Sequence, residues 1–152
     1  MEMGKTVIVT PVYEDREASS RLFKEIADLG IEPVFVVSID DGSVREPLEA
    51  TSMENAGLPG LVIKLKRNVG HQRAIAIGLN YVADNIPETR RVVVMDSDGE
   101  DLPSTISDLL ENLDPGNTDV VVAERKSRVE TLRFRIFYQF YRWLFRLLVG
   151  RN

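Results

Sequence analysis

The chain contains no cysteine, which excludes disulfides and thiolate-bound metal centres and is compatible with a reducing compartment. It has no uninterrupted apolar run of about 18 residues, so no segment is expected to span a bilayer unaided. No signal peptide is expected at its start, because Met1, Glu2, Met3, Gly4 and Lys5 lead directly into a strand-like run. A glycine-rich phosphate loop of the Walker or dinucleotide-binding kind is missing too, since Thr10, Pro11, Val12 and Tyr13 include no glycine. Internal repeats and low-complexity tracts are absent. What remains is 152 residues of ordinary globular composition, 43% apolar and 28% charged, about one domain in length. The net charge of −5 is unevenly spread, because residues 125–152 carry eight Arg and Lys against one acid, Glu130. That split points to an anionic partner for the tail.

The most informative stretch is an apolar run, Val92 to Met95, that meets Asp96, Ser97, Asp98, Gly99, Glu100 and Asp101. This pattern predicts a buried strand whose C-terminal end delivers carboxylates into a cleft. Asp96 and Asp98 stand two apart, and like charges so close repel each other. A hard divalent cation bridging to phosphate relieves that repulsion. An acidic turn capping the next helix is the alternative, since Asp-Gly pairs favour turns.

Further strands are expected over residues 6–10, 33–39, 61–65 and 119–123, the first ended by Pro11, which cannot continue a central ladder. Helical spacing covers residues 16–29, stopping at Gly30, and residues 71–82, which are rich in small residues suited to packing flat on a sheet. A weak short helix falls within residues 44–60, and Ser104 is the expected N-cap of a helix over 105–113. The alternation predicts an α/β fold, a mostly parallel sheet with helices on both faces. Polar residues collect after strands one, two, four and five, where open α/β sheets bind ligands.

Asp40 and Asp41 could accept hydrogen bonds from a base or a ribose, although Asp-Gly-Ser is also strong turn chemistry. Arg67, Arg125 and Arg128 could grip phosphates, the alternative being solvated surface charge. His71 opens a helix and could simply cap it or pack there. Carboxylates and arginines around one cleft suit a metal-bound nucleotide diphosphate better than a peptide or an apolar ligand.

Four ordered motifs now carry a resemblance: Val9-Thr10-Pro11-Val12-Tyr13-Glu14, Ile39-Asp40-Asp41-Gly42-Ser43, Arg67-Asn68-Val69-Gly70-His71-Gln72 and Met95-Asp96-Ser97-Asp98. Together they resemble the family 2 glycosyltransferases of the three-layer α/β/α GT-A fold. The likeness is greatest to enzymes that load a sugar onto polyprenyl or dolichyl phosphate. The resemblance implies that Pro11, Tyr13, Glu14, Asp40, Asp41 and Arg67 bind the nucleotide. It matches Asp96-Ser97-Asp98 to the family's DXD signature, with Asp96 toward the ribose or metal and Asp98 as main ligand of Mg²⁺ or Mn²⁺. It makes Asp98, Arg125 and Arg128 the catalytic set, the arginines lying near the sugar-phosphate or lipid phosphate. Residues 1–128 are then a domain for a UDP- or GDP-linked sugar. The resemblance also implies an acceptor-side segment with the presumed catalytic carboxylate beyond Asn152, so a truncated chain is expected.

Residues 129–149 place Arg128, Arg135, Gln139, Arg142 and Arg146 in one stripe at about 100° per residue, with aromatic and leucine side chains around the rest. Such a helix suits a membrane interface, or packing on the sheet or on a second copy. The expected partners are therefore a nucleotide sugar, a polyprenyl-phosphate acceptor and the cytoplasmic membrane face, with no nucleic acid and with homo-oligomers allowed. Rival readings are a nucleotidyltransferase, which normally needs a glycine-rich basic loop after strand one, and a non-catalytic nucleotide- or membrane-binding module. A signalling receiver domain would place its acidic pair after strand one and a lysine after the last strand, and neither stands there.

Overall fold

The computed structural model describes residues 5–113 and 118–124. The chain divides into two compact units, Met1–Val121 and Val122–Asn152. Only residues 122–124 of the second unit are described, so the basic tail, with Arg125 and Arg128, lies outside the described residues. The first unit runs β1 (Lys5–Val12), α1 (Arg16–Asp28), β2 (Val34–Asp40), α2 (Thr51–Asn55), β3 (Gly60–Lys64), α3 (His71–Asn85), β4 (Thr89–Val94) and α4 (Thr105–Asn112). The four strands form one parallel sheet in the order β3-β2-β1-β4.

The alternation of side chains explains the layers. Ile8, Val12, Val36 and Val93 point to one face and pack with Leu22, Phe23 and Ile26 of α1, Met53 of α2 and Ile106 of α4. Val7, Val9, Val37 and Ile39 point to the other face, against Ala74 and Val82 of α3. Strands covered on both faces are mostly apolar, which is why β1 and β2 carry near-continuous runs, interrupted by the buried Thr10 and Ser38. Gly78 lets α3 lie close, because a Cβ there would stand 2.5 Å from Ile39 Cδ1 and 2.6 Å from Val9 Cγ1. At the start of α1, Asp15 accepts from the Ala18 N–H at 3.0 Å as an N-cap. At its other end Gly30 takes φ +62°.

Three expectations are corrected. Pro11 does not end β1, which continues to Val12 although it is a central strand. Val9 and Pro11 direct their backbone polar groups toward β4, but the ladder there closes with Met95 N–H to Val9 O, so no partner needs the N–H that Pro11 lacks. Residues 119–123 form no strand, and Val120 is 75% exposed. Residues 119–121 and β4 both line a cleft of about 290 Å³, and no ladder pairs them. β4 is therefore not buried but an edge strand among the described residues, with Val92 and Val94 half-exposed. Ser104 stands at the N-cap position of α4 as expected, with no side-chain capping hydrogen bond there.

Candidate functional site

The C-terminal ends of β1, β2 and β4 and the N-terminus of α3 lie at one sheet edge, as parallel topology requires. The loop after β1 is fixed by Glu14, whose φ of +52° is rare for a residue with a side chain. Its carboxylate accepts from three successive backbone N–H groups, Val44 at 2.9 Å, Arg45 at 3.0 Å and Glu46 at 2.9 Å. Its own N–H donates to Ser43 Oγ at 2.8 Å. The Val44 N–H is the foremost cause that lowers the Glu14 pKa below its ordinary value, with Glu46 and Arg45 adding and burial opposing. Pro11 is buried, whereas the neighbouring Tyr13 ring is 53% exposed at the mouth of the edge.

Asp40 and Asp41 are both buried, and both spend their oxygens on backbone. Asp40 accepts from Ser43 N–H at 2.8 Å and Leu48 N–H at 2.9 Å, which is the turn chemistry of its Asp-Gly-Ser context. Asp41 reaches another loop, accepting from Val69 N–H at 2.7 Å and Gly70 N–H at 3.0 Å. Gly42 completes this junction. Its φ is +77°, and a Cβ there would meet Arg67 C at 2.4 Å, so the two loops touch backbone to backbone. The Arg67 side chain remains exposed.

The acidic loop after β4 is tied down from inside. Ser97, between the two aspartates, is buried and donates to Pro11 O at 3.0 Å. Asp96 N–H donates to Asp101 Oδ2 at 2.9 Å, and Glu100 N–H to Asp98 Oδ1 at 2.8 Å. Burial raises the Asp96 pKa, and Asp101, Asp98 and Glu100 raise it further, while His71 pulls it down. His71 Nε2 stands 3.2 Å from Asp96 Oδ1. The imidazole neither caps α3 with its side chain nor packs in the core; it is half-exposed beside the acid.

Asp96 thus faces α3, whereas Asp98 lines a cleft of about 200 Å³ with Arg21 and Glu25 of α1. Among the described residues no group of three or more His, Cys, Asp and Glu side chains gathers to hold a metal. A cation of the Mg²⁺ or Mn²⁺ kind takes one or two carboxylates and completes its shell with water and phosphate. A larger depression of about 540 Å³ runs along α1 beside Arg16, Arg21, Lys24 and Glu46 and touches none of these acids. Sequence reasoning missed the linking roles of Glu14, Asp41, Ser97 and His71, whose partners lie far along the chain. The only signal was their place at strand ends.

Solved structures with a similar fold include TarS 1-349 from S. aureus, at TM-score 0.55 and 20% identity over 70% of this chain and 31% of that one. Another is the mannosyltransferase PcManGT from Pyrobaculum calidifontis in complex with GDP-Man and Mn²⁺, at TM-score 0.55 and 16% identity over 74% and 33%. The fold is that of the GT-A glycosyltransferases. The family model for glycosyl transferase family 2 matches residues 7–150, and the chain belongs to that family. It is 32% identical over 129 residues to the uncharacterized glycosyltransferase YkcC of Bacillus subtilis, covering 82% of this chain and 38% of YkcC. It is 31% identical to the undecaprenyl-phosphate 4-deoxy-4-formamido-L-arabinose transferase of Edwardsiella ictaluri, with the same shares covered. The dodecaprenyl-phosphate galacturonate synthase of Rhizobium johnstonii is 24% identical over 95% of this chain and 42% of its own. The chain therefore spans about two-fifths of the length of these curated relatives.

Proposed function

We propose that the chain is the donor-binding part of an inverting glycosyltransferase that moves a sugar from a nucleoside diphosphate to a polyprenyl-phosphate-type acceptor. The observation that carries this reading is the meeting of Tyr13, Arg67, His71 and the Asp96–Asp98 loop at one sheet edge of a family 2 chain. Tyr13 and Arg67 are the exposed groups offered to the nucleotide, while Pro11, Glu14, Asp40 and Asp41 shape the loops around it. Asp98 and Asp96 would hold Mg²⁺ or Mn²⁺ against the diphosphate. When bound, the cation supplies positive charge to the leaving group.

In the reaction an acceptor phosphate oxygen forms a bond to the anomeric carbon, the bond from that carbon to the diphosphate oxygen breaks, and its electron pair leaves with the diphosphate. The attacking phosphate is ionised at neutral pH, so little demand falls on a general base. Arg125 and Arg128 are assigned to the phosphates, and the Arg-rich aromatic tail to the cytoplasmic membrane surface, where anionic lipid attracts it. Among the described residues no helix is long and apolar enough to cross a membrane.

A thermal-shift panel of nucleoside diphosphates and nucleotide sugars, with and without Mn²⁺, tests the reading. Ligand at about 100 times its Kd adds about 2.7 kcal/mol of stability, which such a panel detects. Stabilisation by UDP or GDP that needs Mn²⁺ is expected. A flat panel at millimolar ligand contradicts it.

A further inference from the structure

We propose that His71 is a positioning residue of this donor site, holding the Asp96 carboxylate in the orientation in which it meets the ligand. The inference rests on the donor-site reading and adds to it a residue that the acidic motif does not contain. His71 is the chain's single histidine. It is the first residue of α3, and its backbone is located from below, since the two preceding N–H groups are bound by the buried Asp41 carboxylate. Nε2 is thereby brought to 3.2 Å from Asp96 Oδ1, an ion-pair distance. Asp96 is held at its backbone by Asp101, and among the described residues no other side chain pairs with its carboxylate. Without the imidazole, the carboxylate is free to rotate beside Asp98, Glu100 and Asp101, whose charges repel it.

The contact is too exposed to matter much for folding. The two side chains are 49% and 43% exposed, and pairs of that kind contribute little to stability. Its consequence is orientation. Removing the outer partner of a metal-binding group typically weakens metal affinity 10- to 100-fold.

The test compares the 152-residue chain with His71→Ala and His71→Gln by calorimetry, titrating UDP and GDP in Mn²⁺. His71→Ala is expected to weaken diphosphate binding by about tenfold at an unchanged Tm, and His71→Gln, which offers an N–H donor of its own, to restore most of it. Nitrogen-15 spectra of the imidazole report on the contact without any ligand. One histidine gives one set of ring signals, expected to shift on Asp96→Ala. Wild-type affinity in His71→Ala, equal loss in both variants, or ring signals indifferent to Asp96→Ala overturns the inference while leaving the donor site standing. Failure of the wild-type chain to bind either diphosphate would instead bring down the donor-site reading, and this role with it.

Discussion

Asp41 joins two loops with one buried carboxylate, and removing that carboxylate tests how the strand-end edge is held. Its oxygens lie 2.7 and 3.0 Å from the N–H groups of Val69 and Gly70, nearly thirty residues on. Hydrogen bonds to a charged group contribute about 1.5–3 kcal/mol each. Both N–H groups are only half-buried, so water replaces part of what alanine removes. Asp41→Ala is therefore expected to cost about 3 kcal/mol, near the lower end of the two-bond sum. Asp41→Asn keeps one acceptor but turns an NH₂ toward the second N–H, for about half that cost. At about 3 °C per kcal/mol for a unit of this size, Tm should fall by about 9 °C for alanine and about 5 °C for asparagine. Hydrogen exchange should accelerate at Val69 and Gly70 in both variants, because each loses protection there. Thermal melts read the first effect and amide-resolved exchange the second. An Asp41→Asn protein with wild-type Tm and protected Val69 and Gly70 amides would refute the assignment of this carboxylate as the joint.

Three other expectations follow from the same geometry. Gly78→Ala gains about 1 kcal/mol of helix propensity but drives a Cβ against the stiff, buried Val9; urea denaturation should show a net loss of about 1 kcal/mol, and a stabilised variant would contradict the close α3 contact. Glu14 has its pKa lowered in the folded chain, so its contribution is present above the ordinary value of 4.5 and is lost as pH falls through the lower folded value. The amide signals of Val44, Arg45 and Glu46 should therefore hold steady through pH 4.5 and move only below it, and movement centred on the ordinary value would contradict the contact. Asp98→Asn should weaken Mn²⁺-dependent binding of UDP or GDP by about tenfold or more in calorimetry, and unchanged affinity would remove Asp98 from the cation site.

Much of the fold was legible because continuous apolar runs and 3.6-residue spacing are local signals. The strands at 34–40 and 60–64 and the helices at 16–28 and 71–85 fell close to where the pattern put them. The run at 119–123 carries the same local signal as β4 but pairs with no strand among the described residues, and a strand exists only with a partner. Pro11 misled for the converse reason. The rule against proline in a central strand assumes a ladder on both sides, and here β4 has ended before it is needed. At the site, the sequence placed acids at strand ends but could not show which oxygens were already taken. Glu14 and Asp41 bind backbone roughly thirty residues away, and His71 meets Asp96 from another element. Such contacts depend on how loops converge in space and leave no trace in spacing.

The most direct test of the donor site is a crystal structure of the chain with UDP or GDP and Mn²⁺. The diphosphate and metal should lie over Asp96 and Asp98, with the nucleoside running past Tyr13 toward the loop that carries Arg67. A nucleotide bound elsewhere, such as in the depression along α1, with both aspartates contacting neither metal nor phosphate, would contradict the assignment.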